Sequence, residues 1–394
     1  MLFQTLDDKK ECVGVFYNGE LQFKEVPPDL SRTWSYSNFL NDRDIEYASL
    51  YCGGKTLDQV CPSHLVDDWE RVSNKLKAFI RSNKIAKVNL SEICFFDVTP
   101  ARFLMEYCQI KNAICEWIFE KYPRPDNYDH LVEVQKVLSD IKYQPINLDL
   151  KPLQKHWGDR KARSLFSRFA NREKAYVDYN LFGSVTGRLT LTSDSYPLLN
   201  LKKEYRETIK PNNDFLLELD YNAAEARVVL SLLGLDQPSE DIHDYHAKNL
   251  YHTSRDEAKK RFFAWLYNPN SEDTISSGQY DRDKLLGRHR IYDSIETLFK
   301  RKIKCDDFHA FNYLIQSTCA DMVLDRMCAI HKLLQGRKSF IAFTLHDSII
   351  LDFSVEDKDL IKEIISTYRQ TKLGNFKTTV SAGRDLYNLN KINI

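Results

Sequence analysis

An α+β fold is predicted for this 394-residue chain from three patterns in its second half. Residues 214–221 (DFLLELDY) have the composition of a leucine-rich strand, which runs straight into a helix-like segment, AAEARVVLSLLG. Residues 340–353 (FIAFTLHDSIILDF) are two apolar β runs interrupted by polar HDS, a pattern that predicts a hairpin. Long helical patterns lie between them, around 242–268 and 306–335. Strands with helices inserted between them favour α+β over a doubly wound sheet.

The composition is that of a globular protein, with 43% hydrophobic and 28% charged residues. Lys and Arg total 56, as do Asp and Glu, so the formal net charge is zero. Composition alone therefore does not indicate a nucleic-acid binder, and any site for a polyanion must come from local clustering.

Nothing in the sequence predicts a membrane protein or a secreted one. No stretch approaches the ~18 uninterrupted apolar residues of a membrane span, and the first residues, MLFQTLDDKKECVG, lack the apolar core of a secretory signal. The nine cysteines are scattered without a CxxC pair, which favours reduced thiols. We therefore expect a cytoplasmic protein without a membrane partner, located in the host cytoplasm if a phage encodes it.

The first half mixes short strands with helices. VGVFYNGELQF predicts two strands around an Asn18-Gly19 turn. From Val66 to Lys121 the apolar residues have helical spacing, as they do again in LVEVQKVLSDI. The proline-containing segment 122–129 is interpreted as a linker.

Cationic side chains concentrate in a segment of the middle region, where seven occur within 20 residues. They are Lys155, Arg160, Lys161, Arg163, Arg168, Arg172 and Lys174. Two interpretations stay open: a solvated helix face, or an arm that lies along a phosphate backbone.

Two carboxylates occupy positions that suit a metal site. Asp220 lies at the end of the apolar strand and Asp347 at the tip of the apolar hairpin. If the strands are neighbours, the two side chains converge, and divalent cations remove the repulsion between them. This arrangement supports two-metal phosphoryl transfer. The alternative is a helix-capping role for Asp220 and a turn role for Asp347.

A helical stripe follows in TSRDEAKKRFFAWLYN, where Arg255, Lys259, Phe263 and Tyr267 recur at intervals of four. Such residues form a slowly winding stripe on one helix face. Two cations followed by two aromatic rings suit a nucleoside triphosphate, because the charges complement phosphates and the rings can stack on base and sugar. The alternative is an ordinary amphipathic helix.

Six segments, in order, resemble motifs of the family A DNA polymerases, the DNA polymerase I family. LELDYNAAEARVVLSLLG resembles the first palm motif, DYSQIELR, and TLHDSIILD resembles the second, VHDE. SRDEAKKRFFAWLYN resembles the fingers-helix motif RxxxKxxxFxxxYG. VTGRLT, DIH and FNYLIQSTCAD resemble the TGRLS, DIH and NxxxQGTAAD segments. The 12-residue step from His243 to Arg255 resembles the compact phage branch.

The resemblance implies a right-hand fold and three regions. Residues 1–118 would be a short N-terminal domain, a truncated or degenerate exonuclease-like region. Residues 119–180 would form a thumb-like helical region whose basic stretch faces DNA. Residues 181–394 would form the palm and fingers, with the fingers at about 240–310.

The resemblance also implies a metal centre and a nucleotide site. Asp220 and Asp347 would ligate two Mg²⁺ ions, with Mn²⁺ as an alternative, and the Tyr221 main-chain carbonyl would add a ligand. Glu225 would be the steric gate that excludes a 2′-hydroxyl. Arg255, Lys259 and His243 would hold the triphosphate. Phe263 and Tyr267 would stack on the incoming nucleotide.

The same resemblance implies a primer–template site made by Arg188, Asn312 and Gln316 in the minor groove and by His346 near the primer end. Some residues depart from the family pattern. Ser348 replaces the Glu of the second palm motif, so a secondary carboxylate near the metals is missing. Ala264 and Asn268 replace glycines beside the fingers tyrosine, and residues 269–290 are unlike the family's compact turn. These departures bear on fidelity more than on catalysis.

Proofreading is predicted to be absent. The DxE motif at Asp44-Ile45-Glu46 follows polar residues instead of an apolar strand, and the segment ending at Asp97 has stretched spacing for an exonuclease motif. A metal-dependent nuclease remains an alternative for the N-terminal part only.

The sequence thus predicts a DNA-directed DNA polymerase acting on a primer–template with dNTPs. Its expected further partners are a processivity factor, a separate exonuclease or other replication proteins, because a neutral chain predicts weak, salt-sensitive DNA binding. One alternative is a single-subunit RNA polymerase, against which Glu225 and Tyr267 argue. The other is a catalytically inactive primer–template binding subunit, against which the retained Asp220 and Asp347 argue.

Overall fold

The computed structural model describes residues 1–23, 26–41, 43–90, 92–172 and 174–392. The chain divides into two compact units, Met1–Tyr143 and Gln144–Ile394. Among the described residues, no helix combines the length and the apolar character needed to cross a membrane.

Among its described residues, the first unit contains five strands and five α-helices. They are β1 (Phe3–Asp8), β2 (Glu11–Tyr17), β3 (Glu20–Gln22), β4 (Arg32–Thr33), β5 (Glu46–Tyr47), α1 (Ala48–Tyr51), α2 (Leu57–Val60), α3 (Val66–Ile85), α4 (Ala101–Lys121) and α5 (Tyr128–Tyr143). Strands β1, β2 and β3 form an antiparallel sheet, and β4 pairs with β5 in parallel. The predicted Asn18-Gly19 turn is confirmed, with both residues at positive φ (51° and 81°).

The core of the first unit forms where α3 and α4 pack together with α1 and α2. Trp69 and Val72 of α3 are buried against Phe103, Ile114 and Ile118 of α4. These residues recur at helical spacing, so each helix presents an apolar stripe to the other. The helical prediction for this region is confirmed. Segment 122–129, predicted as a linker, separates α4 from α5 within this unit, and the unit ends at Tyr143.

In the second unit, the part of the chain that the structure describes forms fifteen strands and eight α-helices. The strands are β6 (Pro145–Leu148), β7 (Ala175–Tyr176), β8 (Tyr179–Asn180), β9 (Thr190–Leu191), β10 (Ile209–Lys210), β11 (Phe215–Tyr221), β12 (Arg290–Ile291), β13 (Ser294–Glu296), β14 (Lys302–Lys304), β15 (Phe340–Leu345), β16 (Ser348–Phe353), β17 (Gln370–Thr371), β18 (Gly374–Asn375), β19 (Thr378–Gly383) and β20 (Asn390–Lys391). The helices are α6 (Arg160–Phe169), α7 (Ala224–Leu233), α8 (Ile242–His246), α9 (Arg255–Tyr267), α10 (Thr274–Gln279), α11 (Arg282–His289), α12 (Asp307–Leu333) and α13 (Ile361–Arg369).

A five-stranded antiparallel sheet organises this unit, with the strand order β15-β16-β11-β19-β20. All six residues of β16 are buried, and Leu216, Leu217 and Leu219 of β11 are at most 1% exposed. Helix α12 packs against β15, β16, α7 and α13. The predicted strand at 214–221, the hairpin at 340–353 and the mixed α and β content are confirmed.

The long helix predicted around 242–268 is interrupted. Helix α8 continues into a π-helical turn (Ala247–Tyr251), after which His252 adopts a left-handed conformation with φ of 52°. Ser254 then starts α9 through a capping box in which Ser254 and Glu257 satisfy each other's main-chain N–H groups. The helical spacing continues across this break, which is why the apolar pattern alone did not reveal it.

Asp352 fixes the turn that precedes β11. Its buried carboxylate accepts hydrogen bonds from the main-chain N–H groups of Asn212 (2.6 Å) and Asn213 (2.8 Å). We predict that Asp352→Ala lowers the free energy of unfolding by about 2–4 kcal/mol, because it leaves two donors unsatisfied. Chemical denaturation followed by circular dichroism measures this loss.

The matched control is Asp359→Ala, whose side chain is 61% exposed and lies 3.6 Å from Arg337. An exposed pair of this kind contributes at most about 1 kcal/mol. Equal losses for the two variants would contradict the role given to Asp352.

Candidate active site

The sheet brings Asp220 and Asp347 together at one end. Asp220 is directly opposite Ser348 in the β11–β16 ladder, and Leu345 is opposite Ser348 in the β15–β16 ladder. Asp347 therefore lies in the two-residue turn beside the strand position that faces Asp220. The convergence predicted from the sequence is observed.

Two residues next to these carboxylates have left-handed backbones. His346 has φ of 57° and Ala223 has φ of 50°. Such conformations are uncommon without glycine and cluster at functional sites. His346 turns the chain into Asp347, and Ala223 turns it from β11 into α7, so both fix where the neighbouring acidic groups point.

The electrostatics of this end of the sheet disfavour a second negative charge. Burial, together with the nearby charges of Asp347 and Glu218, raises the pKa of Asp220 to about 7. Burial also raises the pKa of Glu218, which lies two positions earlier on the same strand and hence on the same face. A divalent cation bound by oxygen ligands would relieve this repulsion.

The oxygen donors that meet at this end of the sheet are the Asp220 and Asp347 carboxylates, and the Tyr221 main-chain carbonyl stays a predicted third ligand. No group of three His, Cys, Asp or Glu side chains suited to a metal ion occurs in the described parts of the chain, so two carboxylates would carry the site. The Tyr221 ring itself is buried and stacks on Tyr368 at 4.1 Å. Its hydroxyl donates to the Tyr368 carbonyl oxygen (2.5 Å), so the ring is part of the core.

A cavity of about 180 Å³ opens beside Asp347. Residues from five parts of the second unit line it: Arg188, Ala223, Ala224, Glu225, Phe263, Tyr267, Cys319, Ala320, Val323, His346 and Asp347. Six residues singled out from the sequence (Arg188, Glu225, Phe263, Tyr267, His346 and Asp347) are among them. A site assembled from such distant segments requires the tertiary fold.

Glu225 is held from two sides within this cavity. It is 7% exposed; one oxygen accepts from the Arg188 guanidinium and the other from the Tyr267 hydroxyl. Burial raises the pKa of the Glu225 carboxyl, and the two donors oppose that shift. The carboxylate is thus fixed in orientation at the wall of the cavity.

Helix α9 presents the predicted stripe. Arg255, Lys259 and Tyr267 are exposed and Phe263 is partly buried, whereas Trp265 on the opposite side is fully buried. The Phe263 and Tyr267 rings stack at 5.7 Å with an interplanar angle of 14°. Both cations and both rings therefore share one accessible face.

Arg255 is connected to the end of β11 by residues that the sequence interpretation gave no role. Its guanidinium contacts both Asp241 oxygens (3.2 and 2.9 Å). Asp241 also accepts from the Asn222 side chain (2.7 Å), and Asn222 accepts from the buried Arg227 (3.1 Å). Asp241 is the first residue of the DIH segment, which the sequence analysis recognised. Of that segment, only His243 was given a role there.

His243 differs from a simple phosphate-binding cation. It is 3% exposed, and burial lowers its pKa to about 4, so its ring is neutral at physiological pH. Its buried Nδ1 has no hydrogen-bond partner among the described residues. A neutral ring can contribute one hydrogen bond to a phosphate but no charge.

The remaining predicted residues lie on α12 and at the hairpin tip. Asn312 and Gln316 are one turn apart, and the Gln316 side chain donates to Asn312 (2.6 Å). Ala320, one turn further along the same face, lines both the main cavity and a smaller adjacent one that includes Arg188 and His346. Gln316 and Asn312 therefore lie about one and two turns along α12 from the cavity-lining Ala320.

Segment 269–290, which is unlike the compact turn of the family A polymerases, packs against α9 and contacts its side chains. Asp273 pairs with Arg261 through two contacts of 2.7 Å. Arg282 stacks on Trp265 at 4.2 Å and donates to the main-chain carbonyl of Asn268, where α9 ends. A cation at a helix C-terminus is stabilising, so the segment supports the helix from behind.

Within the described ranges, the N-terminal acidic residues belong to no group of three side chains that could hold a metal ion. Glu46 accepts from Arg32 (2.8 Å) and from the Tyr51 hydroxyl (2.5 Å), and these donors lower its pKa against the effect of burial. Asp44 and Asp97 are exposed.

A solved structure shares the fold of this chain. It is described as the POL domain of Pol1 from M. smegmatis in complex with DNA primer-template and dNTP. The two are 12% identical in sequence, with a TM-score of 0.61, over 73% of this chain and 76% of that one. The chain is therefore similar in fold to a DNA polymerase domain. No protein-family model matches the sequence, and no curated protein matches it.

The raised pKa of Asp220 predicts a pH-dependent stability. Folding raises the pKa from 3.8 to about 7, so the folded protein binds this proton more tightly than the unfolded chain. Stability is therefore lost as pH rises from about 4 to about 7, and the loss persists above that. We expect Asp220→Asn to have a Tm roughly 5 °C higher than the parent at pH 8.

Thermal unfolding at several pH values, without divalent cations, measures this difference. The difference in Tm between Asp220→Asn and the parent should shrink as the pH falls towards 4, where the side chain at position 220 is neutral in both folded proteins. A gain of equal size at pH 4 and pH 8 would contradict the electrostatic origin.

Proposed function

We propose that this chain is a template-directed DNA polymerase that adds deoxyribonucleotides to a primer 3′ end. The observation that carries the proposal is the convergence of Asp220 and Asp347 beside a cavity walled by Glu225, Phe263 and Tyr267. The fold similarity to a DNA polymerase domain supports it. The solved neighbour is described as a complex with primer–template and dNTP, and we propose the same partners here.

In this proposal Asp220, Asp347 and the Tyr221 carbonyl hold two Mg²⁺ ions, with Mn²⁺ as an alternative. When bound, such ions lower the pKa of an attacking hydroxyl and neutralise charge on the leaving group. The reaction itself is attack of the primer 3′ oxygen on the α-phosphorus, with loss of the hydroxyl proton and departure of pyrophosphate. Asp220 must be deprotonated to act as a ligand, so a bound cation would have to displace the proton that the raised pKa of this carboxyl favours.

The fingers stripe supplies the triphosphate contacts. Arg255 and Lys259 carry exposed positive charge, and neutral His243 would add one hydrogen bond. Arg255 is paired with Asp241, so the triphosphate must compete with that carboxylate or share the guanidinium with it. Phe263 and Tyr267 would stack on the nucleotide.

Glu225 is proposed as the gate that excludes a ribose 2′-hydroxyl. Its two oxygens accept hydrogen bonds from Arg188 and Tyr267, which fix the carboxylate at the cavity wall. A fixed, buried carboxylate packed against the sugar leaves no room for a 2′-hydroxyl. This selection favours DNA synthesis over the RNA polymerase alternative.

The duplex would be bound on the α12 face and by the basic stretch. Arg188, Asn312 and Gln316 are proposed for the minor groove, and His346 for the primer end. On α6, Ala162, Leu165 and Phe169 are buried while the cations face solvent. Arg160 and Lys161 form no ion pair within the described ranges, so their charge is available for phosphate.

The finer assignments remain predictions. They are the thumb-like region at 119–180, the exonuclease-like N-terminal domain without proofreading, the phage-like branch, the cytoplasmic location and the processivity or other replication partners. Engagement of Glu46 by Arg32 and Tyr51 supports a structural use of that carboxylate. The binding-subunit alternative keeps the same surfaces but requires no chemistry at Asp347.

Primer extension tests the proposed activity. With Mg²⁺ and dNTPs, the parent should extend a labelled primer as the template directs, and Asp347→Ala should reduce the rate by at least about 10³-fold, because it removes a metal ligand. Asp359→Ala, an exposed carboxylate on the same unit, is the control and should extend normally.

The outcomes separate the alternatives. Template-bound protein without extension under either metal would favour the binding subunit. Extension with NTPs as readily as with dNTPs would favour an RNA polymerase. Shortening of the primer without nucleotides would show a nuclease in the chain.

Salt dependence tests the α6 surface. Each phosphate contact contributes about 0.9 to the slope of log K against log salt concentration. The double variant Arg160→Ala/Lys161→Ala should therefore lower the slope for duplex DNA by up to about 2. Fluorescence anisotropy at several salt concentrations measures it.

The matched control is Lys358→Ala/Lys362→Ala, which removes two exposed charges near α13. If both double variants change the slope equally, α6 has no special part in binding DNA.

A further inference from the structure

A buried ion pair lies behind the loop that carries Arg188. The Arg301 guanidinium donates to both oxygens of Asp321, from Nε (2.9 Å) and from Nη2 (2.6 Å). Asp321 is fully buried on α12, and the Arg301 side chain is 11% exposed. Such a bidentate pair fixes the plane of the guanidinium.

Gly187 rests directly against that plane. A Cβ added at Gly187 would lie 2.5 Å from Arg301 Cζ and 2.6 Å from Nη2. An arginine end normally moves aside easily, but this one is held by Asp321. Gly187 also has φ of 76°, so both its backbone and its missing side chain are required.

The loop that contains Gly187 is linked to Glu225 through the next residue, Arg188. Gly187 is followed by Arg188, whose carbonyl oxygen accepts from Ser184 Oγ (2.8 Å). The Arg188 guanidinium in turn holds one oxygen of Glu225, and Tyr267 holds the other. The contacts therefore run from Asp321 through Arg301 and Gly187 to the cavity wall.

We propose that Arg301 and Asp321 are positioning residues for sugar selection, acting through Gly187 and Arg188 on the Glu225 carboxylate. This inference rests on the proposed function, since it concerns how that site distinguishes deoxyribose from ribose. Neither residue lines the cavity, so neither touches the nucleotide. Their contribution is to prevent Glu225 from turning away from an added hydroxyl.

The alternative explanation is that the pair only stabilises the fold. A purely structural role predicts that disturbing it lowers stability without changing the ratio of affinities for ribose and deoxyribose nucleotides. A positioning role predicts a change in that ratio even where the protein stays folded. The two are separated by binding measurements that need no catalysis.

The test uses Gly187→Ala in the full chain, bound to a primer–template with a dideoxy-terminated primer and Mg²⁺. Calorimetry gives the Kd for the complementary dATP and for ATP. We expect the ratio of the ATP Kd to the dATP Kd to fall by about tenfold or more, because Glu225 loses one of its two fixed contacts.

The matched control is Gly336→Ala, whose backbone has nearly the same φ, 73°, with no atom within 4 Å of the added Cβ. Gly336→Ala carries the same backbone strain but brings no contact between the added Cβ and another residue. Its ratio of the ATP Kd to the dATP Kd should therefore equal that of the parent. A folded Gly187→Ala with the parental ratio would overturn the inference.

Arg301→Lys provides a second variant if Gly187→Ala does not fold. It keeps a positive charge beside Asp321 but removes the planar group on which Gly187 rests. A reduced ratio supports the inference, and a parental ratio in the folded variant overturns it. Failure of the parent to bind dATP on the primer–template would instead overturn the proposed function, and the inference with it.

Discussion

The repulsion between two carboxylates, one on β11 and one in the turn between β15 and β16, is the constraint on which the site depends. Antiparallel pairing of β11 with β16 places Asp220 opposite Ser348, and the tight turn before Ser348 puts Asp347 alongside. The sheet core fixes both strands, so the acidic groups cannot move apart. Burial first, and then the charges of Asp347 and Glu218, raise the pKa of Asp220, and a bound cation would offset this cost.

The site is linked to α9 by hydrogen bonds as well as by packing. Asn222 follows directly after the strand that carries Asp220, and it donates to Asp241, which in turn holds Arg255. The buried Arg227 secures Asn222 from the other side. A triphosphate that drew Arg255 away from Asp241 would therefore act on residues adjoining β11, the strand that carries the proposed metal ligand Asp220. The proposed nucleotide site thus has a physical connection to the end of the sheet where Asp220 and Asp347 meet.

Sequence patterns were sufficient where the determining interactions are local. The β11 strand, the β15–β16 hairpin and the α9 stripe follow from apolar alternation and helical spacing. The break before Ser254 was missed because the helical spacing continues across it. The contact between Arg188 and Glu225 joins positions 37 residues apart, and no local pattern encodes it.

Other features depend on tertiary packing in the same way. The glycine in VTGRLT could be recognised as a motif residue, but its reason, the Arg301 guanidinium against its Cα, requires the fold. Segment 269–290 appeared only as an unusual polar stretch, whereas Asp273 and Arg282 use its charges to brace α9. Burial likewise decides that His243 is neutral, which its position in a motif does not show.

The central claim is that Asp220 and Asp347 jointly bind the cations that serve phosphoryl transfer. Its most direct test is a crystal structure of the chain with a dideoxy-terminated primer–template, a complementary dNTP and Mn²⁺. Anomalous scattering locates Mn²⁺ independently of any interpretation of the fold. The account predicts anomalous peaks between the Asp220 and Asp347 carboxylates and the triphosphate. A bound triphosphate with no anomalous peak at either carboxylate would contradict it.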